Sequence, residues 1–184
     1  MVKKPTWILL AILVVIVGVT FFLESKDIRY SQETPTPTPG VMLFASGLTE
    51  NLARIEYTAS GAEPIVLAKD ASNQWSFANL QADPVNQGTV LSALSNLAAA
   101  QVQSEVALDT DPAFTGMNQP TATLTLTEVT GTVHTLKIGQ LTPVGNGYYC
   151  MIEGDVTLKI LNRYTIEDVM SALSMESLTA PAIQ

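Results

Sequence analysis

An uninterrupted apolar run from Trp7 to Leu23 constrains this 184-residue chain more than any other feature. Lys3 and Lys4 precede it, and Thr34-Pro35-Thr36-Pro37-Thr38-Pro39-Gly40 follows after a short polar stretch. At about 1.5 Å per residue the run reaches roughly 26 Å as a helix, near the lower limit for crossing a bilayer core. It contains no charge, and Gly18 and Thr20 are its only weakly polar interruptions. The two lysines place the N-terminus in the cytoplasm by the positive-inside tendency. Lys26 and Arg29 beyond the far end oppose that orientation without reversing it. A cleaved signal peptide is the competing reading, but its apolar region is shorter and closes on a small-residue site. This run closes on Phe21-Phe22-Leu23-Glu24-Ser25 instead, and the only cysteine, Cys150, is too distant to carry a lipid anchor.

The expected organisation is therefore a short cytoplasmic N-terminus (1–6), one transmembrane anchor (7–23), a polar and Thr-Pro-rich linker (24–40), and an extracytoplasmic domain (41–184). The chain is expected in the cell membrane as a single-pass protein. Alternating Thr-Pro favours an extended polyproline-like spacer, about 3 Å per residue, that lifts the domain away from the headgroups.

Residues 41–184 carry five basic side chains (Arg54, Lys69, Lys137, Lys159, Arg163) against fourteen acidic ones, a net charge of −9. An acidic surface without a basic cluster repels phosphate, so nucleic acid and anionic headgroups are poor partners. A single cysteine allows no intramolecular disulfide, so the core alone must hold the fold.

Strand patterns dominate beyond the spacer. Ala53, Ile55, Tyr57 and Ala59 alternate with polar neighbours, and 65–69 follows after a Gly-Ala-Glu-Pro turn, a hairpin signature. Trp75-Ser76-Phe77 forms a short strand. The period then changes: Asp83-Pro84 reads as an N-cap with proline at the first helical position. Val90, Leu91, Leu94, Leu97 and Ala98 make an apolar stripe, predicting a helix over 84–100. A strand over 102–108 returns to the sheet. Over 121–127, Ala122, Leu124 and Leu126 point inward and threonines outward, as in an antiparallel sheet with one wet face. A strand over 132–138 ends at Gly139, and strands over 148–152 and 156–161 pair across Glu153-Gly154-Asp155. Thr165-x-x-Asp168 resembles a capping box opening a helix with Ile166, Val169, Met170 and Leu173 on one face. The tail after Ser177 is expected to fray. The fold class is α+β: a mainly antiparallel sheet with two helices packed on one face, preceded by one N-terminal transmembrane helix.

The segment Phe114-Thr115-Gly116-Met117-Asn118-Gln119-Pro120 resembles the aromatic-x-Gly-Leu-Asx-x-Pro signature of the family known as domain of unknown function 4340. Other landmarks agree in order. Trp75 follows a polar turn, Asp83 opens the helix, Ile138-Gly139 precedes the Leu141-Thr142-Pro143 loop, and Tyr148-Tyr149 begins the next strand. The resemblance covers roughly 55–173 and extends to the anchor. Met117 replaces the usual leucine, and many relatives are longer. It implies an extracytoplasmic domain on a single anchor, with some relatives associated with ABC transport and gliding motility, and it carries over no catalytic residue. Read physically, Gly116 supplies positive φ, Asn118 suits a turn, and Pro120 fixes the start of the next strand. Phe114 and Met117 are expected to plug the sheet end. Phe114, Gly116, Met117, Asn118 and Pro120 are thus the candidate site, as a structural or ligand-contacting loop.

Chemistry elsewhere is sparse. His134, the only histidine, is in phase with Leu136 and Ile138 and reads as a half-buried sheet residue. Cys150 alternates with Tyr148 and Ile152 as an inward thiol. One His and one Cys make no closed zinc site, and Asp109-Thr110-Asp111 lacks the glycine and glutamate of a calcium loop. Glu167-Asp168 is expected in the first turn of the last helix, favouring its dipole. No catalytic residue, cofactor or metal is expected. The leading reading is a non-enzymatic, membrane-anchored binding or scaffolding module of the cell envelope, with another envelope or membrane protein as partner. The alternatives are an accessory subunit of an ABC-type transport system and a cryptic hydrolase.

A reporter cysteine placed in the Thr-Pro spacer should react with a membrane-impermeant reagent on intact cells. Labelling only after lysis would reverse the orientation.

Overall fold

A computed structural model describes residues 41–44, 47–80, 84–108 and 110–179. These lie within one compact unit. The anchor and linker expected over 7–40, together with Asp83 and Asp109, fall outside the described residues. Among those described, no helix is long and apolar enough to cross a membrane.

Eight strands form one sheet: β1 (Leu52–Ala59), β2 (Ile65–Lys69), β3 (Trp75–Phe77), β4 (Val102–Ala107), β5 (Ala122–Glu128), β6 (Val133–Leu141), β7 (Gly147–Ile152) and β8 (Thr157–Asn162). Their spatial order is β3-β2-β1-β5-β6-β7-β8-β4, with each neighbouring pair antiparallel. The expected β1–β2 and β7–β8 hairpins are both present. So is the inward set Ala122, Leu124 and Leu126, each essentially inaccessible to solvent. Among the described residues four helices accompany the sheet: α1 (Gln87–Ala98), α2 (Pro112–Thr115), α3 (Arg163–Ala172) and α4 (Met175–Thr179). The class is α+β.

One core holds the molecule together. Val90, Leu94 and Leu97 of α1 and Ile166 and Val169 of α3 join Ile55, Leu126, Leu136, Ile138 and Cys150 of the sheet in a single buried cluster. The two longer helices therefore share one sheet face. Leu43, Phe44, Leu48 and Leu52 close that core where the described chain begins.

Several local expectations give way to a better-placed partner. Helix α1 is capped by Asn86, whose side-chain oxygen accepts the Thr89 N–H at 3.2 Å, and not by Asp83. Starting at Gln87 lets that side chain clasp β3, accepting from the Trp75 N–H (2.9 Å) and donating to the Trp75 carbonyl (2.8 Å). The stripe shifts accordingly: Ala93 is buried, while Leu91 and Ala98 are exposed. Asn162 caps α3 by accepting from the Tyr164 and Thr165 N–H groups, so the helix opens straight from β8 without the Thr165–Asp168 box. Glu167 and Asp168 thus lie beyond the first turn, and Glu167 accepts from Arg163 Nε at 2.8 Å instead of answering the dipole. The tail past Ser177 does not fray at once. Helix α4 buries Leu178 completely, and the Leu178 carbonyl accepts the Asn86 N–H at 2.8 Å.

Because Leu126 lies centrally in this core with no accessible surface, Leu126→Ala should destabilise the domain by about 2–5 kcal/mol. Equilibrium denaturation should show the loss in the unfolding midpoint.

Candidate binding surface

The second sheet face is the one turned away from α1 and α3. Alternation places threonines there, in register across three strands. Thr58 pairs with Thr123 and Thr123 with Lys137; Glu56 pairs with Thr125 and Thr125 with Thr135. Arg54 pairs with Thr127 on the same face. These side chains are half-buried to exposed, forming a flat polar field.

A ridge bounds that field, and topology dictates it. Strand β4 ends at the sheet edge, while β5 lies four positions inward, so residues 108–121 must cross β8, β7 and β6. Helix α2 sits within this crossover. Asp111 caps it by accepting the Ala113 N–H at 2.9 Å, and Pro112 occupies its first turn. The chain then reverses through Gly116, whose φ of +77° is left-handed, as the signature anticipated. Such a conformation costs an L-residue about 1–2 kcal/mol.

Two glycines interlock the ridge with the sheet. A Cβ on Gly116 would stand 2.7 Å from the Gln140 backbone nitrogen. A Cβ on Gly139 would stand 2.1 Å from the Thr115 carbonyl oxygen and 2.6 Å from Met117 Cε. Gly139 was expected to end its strand, yet β6 continues to Leu141 past a register shift. The glycine marks a close backbone approach, not a terminus. Thr121 Oγ1 donates to the Gly139 carbonyl at 2.8 Å and ties the end of the crossover to the same point.

Of the candidate loop, Gly116 is buried, Met117 and Pro120 are half-buried, and Asn118 is exposed. Phe114 does not plug the sheet end. It is 52% exposed and leans on Tyr149, ring centroids 6.1 Å apart at 59°. Tyr149 alternates with the inward Tyr148 and Cys150, so this contact lies on the second face. Sequence alternation in β7 already placed Tyr149 outward; only the crossover supplied its cover.

The residues that nucleophilic catalysis would require are kept apart. Cys150 is opposite Ile138, whereas His134 lies four residues away along β6, about 13 Å at strand spacing. The Cys150 thiol is fully buried, and that burial pushes its ionisation well above the ordinary range. A buried neutral thiol is a poor nucleophile. His134, half-buried as expected, has Nε2 2.9 Å from Glu128 Oε1, and its ring meets Phe44 edge-on at 6.0 Å. Among the described residues no group of three or more His, Cys, Asp or Glu side chains could hold a metal ion. A small polar cluster escaped the sequence reading: Tyr148 OH donates to Glu167 at 3.4 Å beside Arg163. Burial first, and the Glu167 charge second, push the Tyr148 ionisation up. The four-residue spacing of Arg163 and Glu167 was the available signal.

Fold and surface together define a small α+β domain presenting an interlocked loop beside a polar sheet face. The family model described as domain of unknown function (DUF4340) matches residues 75–173, more than half of the chain, and the chain belongs to that family. The match starts at Trp75, inside the wider resemblance, and ends at Leu173. No curated protein and no solved structure matches the chain.

Gly139→Ala should lower stability by roughly 1–3 kcal/mol, since backbone must move to admit one methyl group. Thermal unfolding checks this. A wild-type midpoint would show that the ridge does not depend on the close approach.

Proposed function

We propose that this protein is a non-enzymatic, membrane-anchored extracytoplasmic module of the cell envelope that binds or scaffolds another envelope protein through its second sheet face. Residues 7–23 supply the anchor, with the N-terminus cytoplasmic, and 24–40 supply the spacer. The observation that carries the reading is Phe114. A large aromatic ring stays half in water on a loop that Gly116 and Gly139 hold rigidly against the sheet. Loops bearing binding residues on a rigid scaffold concentrate contact function. A fixed, partly exposed aromatic beside polar groups is the kind of anchor that dominates an interface. The threonines, Lys137 and Arg54 then provide the surrounding hydrogen-bonding field.

A photoreactive amino acid at Thr125 in the full-length chain, irradiated in native membranes, should capture a discrete envelope protein. The same residue at Leu91, exposed on the outer side of α1, should not. Phe114→Ala should weaken the captured complex about tenfold or more, on the order of 1–2 kcal/mol, with little change in thermal midpoint. Equal capture from both positions would overturn the reading. A transport permease as the captured chain would point to the accessory-subunit role.

A further inference from the structure

Cations are scarce in the domain, and four of its five are engaged. Arg54 lies 3.5 Å from Glu56, and Lys69 stands over the Trp75 ring at 5.2 Å. Lys159 meets Asp155 and Glu105, and Arg163 holds Glu167. Lys137 is the exception: among the described residues no acid, ring or hydrogen-bond acceptor engages its ammonium group. It is half-buried on a central strand, so it does not serve to block a sheet edge. In a domain with fourteen acidic side chains, that isolation is the odd feature of its electrostatics.

The surroundings of Lys137 limit what can answer its charge. Thr123 stands opposite it on β5, with Cβ atoms about 5 Å apart, and Met151 stands opposite it on β7. Two residues along β6, about 7 Å away, Gly139 lies beneath Thr115 and Met117 of the ridge. Tyr149, against which Phe114 leans, is two residues from Met151 on the same face. Lys137 therefore sits at the foot of the ridge, where its apolar wall meets the threonine field. The hydroxyls of Thr58, Thr123, Thr125, Thr127 and Thr135 make no hydrogen bond to the described protein, so they too are open to a ligand. Glu56 is the only acid on this face of β1, β5 and β6. It is engaged by Arg54 and lies about 12 Å from Lys137 across two strands.

We infer that Lys137 receives a single carboxylate, an Asp or Glu side chain of the protein that covers the second sheet face, with an apolar side chain of that partner resting on Phe114; the inference rests on the reading of that face as a protein-binding surface. Desolvation decides this. A partner lying on the threonine field strips water from Lys137, and a cation so covered is costly unless an anion arrives with the partner. Thr123 can donate its hydroxyl to the same carboxylate. Phosphate, carrying nearly two charges, fits less well. Arg54, the other cation on this face of β1, β5 and β6, is about 17 Å away and already paired. A net charge of −9 also repels polyanions and acidic runs. One carboxylate among neutral residues fits.

The full-length chain with the photoreactive residue at Thr125 should be compared in native membranes with its Lys137→Arg, Lys137→Met and Lys137→Glu forms. A water-soluble carbodiimide joins an amine to a carboxylate in contact, as an amide. It should couple Lys137 Nζ to one Asp or Glu of the protein that the photoreactive residue captures, as read by mass spectrometry of the linked peptides. Lys137→Arg should lose that amide yet keep photocapture within about twofold, because it keeps the charge. Lys137→Met should cut photocapture severalfold and Lys137→Glu about tenfold or more. Thermal midpoints should stay close to wild type, since Lys137 makes no ion pair within the described domain. Photocapture indifferent to Lys137→Glu would overturn the inference while leaving the protein-binding face intact. Coupling of Lys137 to an acid of its own chain would overturn it by supplying an internal counter-charge. Coupling to a second copy would overturn it by making the face a self-association surface. Absence of photocapture from Thr125 in the parent chain would remove the reading of the face, and the inference with it.

Discussion

Strand β5 carries two jobs with one alternation. Its odd-numbered positions from Thr123 to Thr127 face water, and its even-numbered positions from Ala122 to Leu126 fill the core. Because it pairs with β1 on one side and β6 on the other, it imposes the same alternation on both. Every later feature depends on that register. A slip of one residue would bury the threonines, leave their hydroxyls without partners, and turn leucines to solvent. The burial of Leu124, Leu126, Leu136 and Ile138 against α1 and α3 specifies the register strongly.

The second face owes its character to topology. A sheet whose edge strand β4 precedes a central strand β5 must route a connection over intervening strands. Here the connection crosses the face that the two longer helices leave open. It shields Tyr149 and stops short of the threonine field, so one sheet face holds both a covered and an uncovered half. The glycine contacts make that boundary rigid, since neither backbone can retreat without breaking the hydrogen bonds around Gly139 and Thr121. The family signature therefore reads as the hardware of a crossover, with Phe114 the part of it left half exposed.

Charge is arranged along the strands as well as across the faces. Four of the turns at one end carry acid, whereas Glu63 is the one acidic residue in the described turns at the other.

How much of this was legible beforehand depends on the range of the interactions. The strands, the two hairpins, the inward set of β5 and the existence of α1 and α3 follow from local periodicity, which is a property of consecutive residues. Cap positions did not follow, because Asp83 and Asn86, or Asn162 and Thr165, offer similar chemistry. The choice fell to Gln87 clasping Trp75 and to β8 running directly into α3. In sequence Gly139 looks like a strand stop, because close approach by Thr115, distant in sequence, leaves no local trace. Likewise, composition determined that the domain is acidic, carries a single thiol and follows an apolar run and a Thr-Pro spacer. Only the tertiary structure decided that the crossover seats Phe114 on Tyr149, that His134 and Cys150 lie on separate stretches of the sheet, and that the acidic turns gather at one end. Those are long-range pairings, set by strand order, and no short window of sequence encodes strand order.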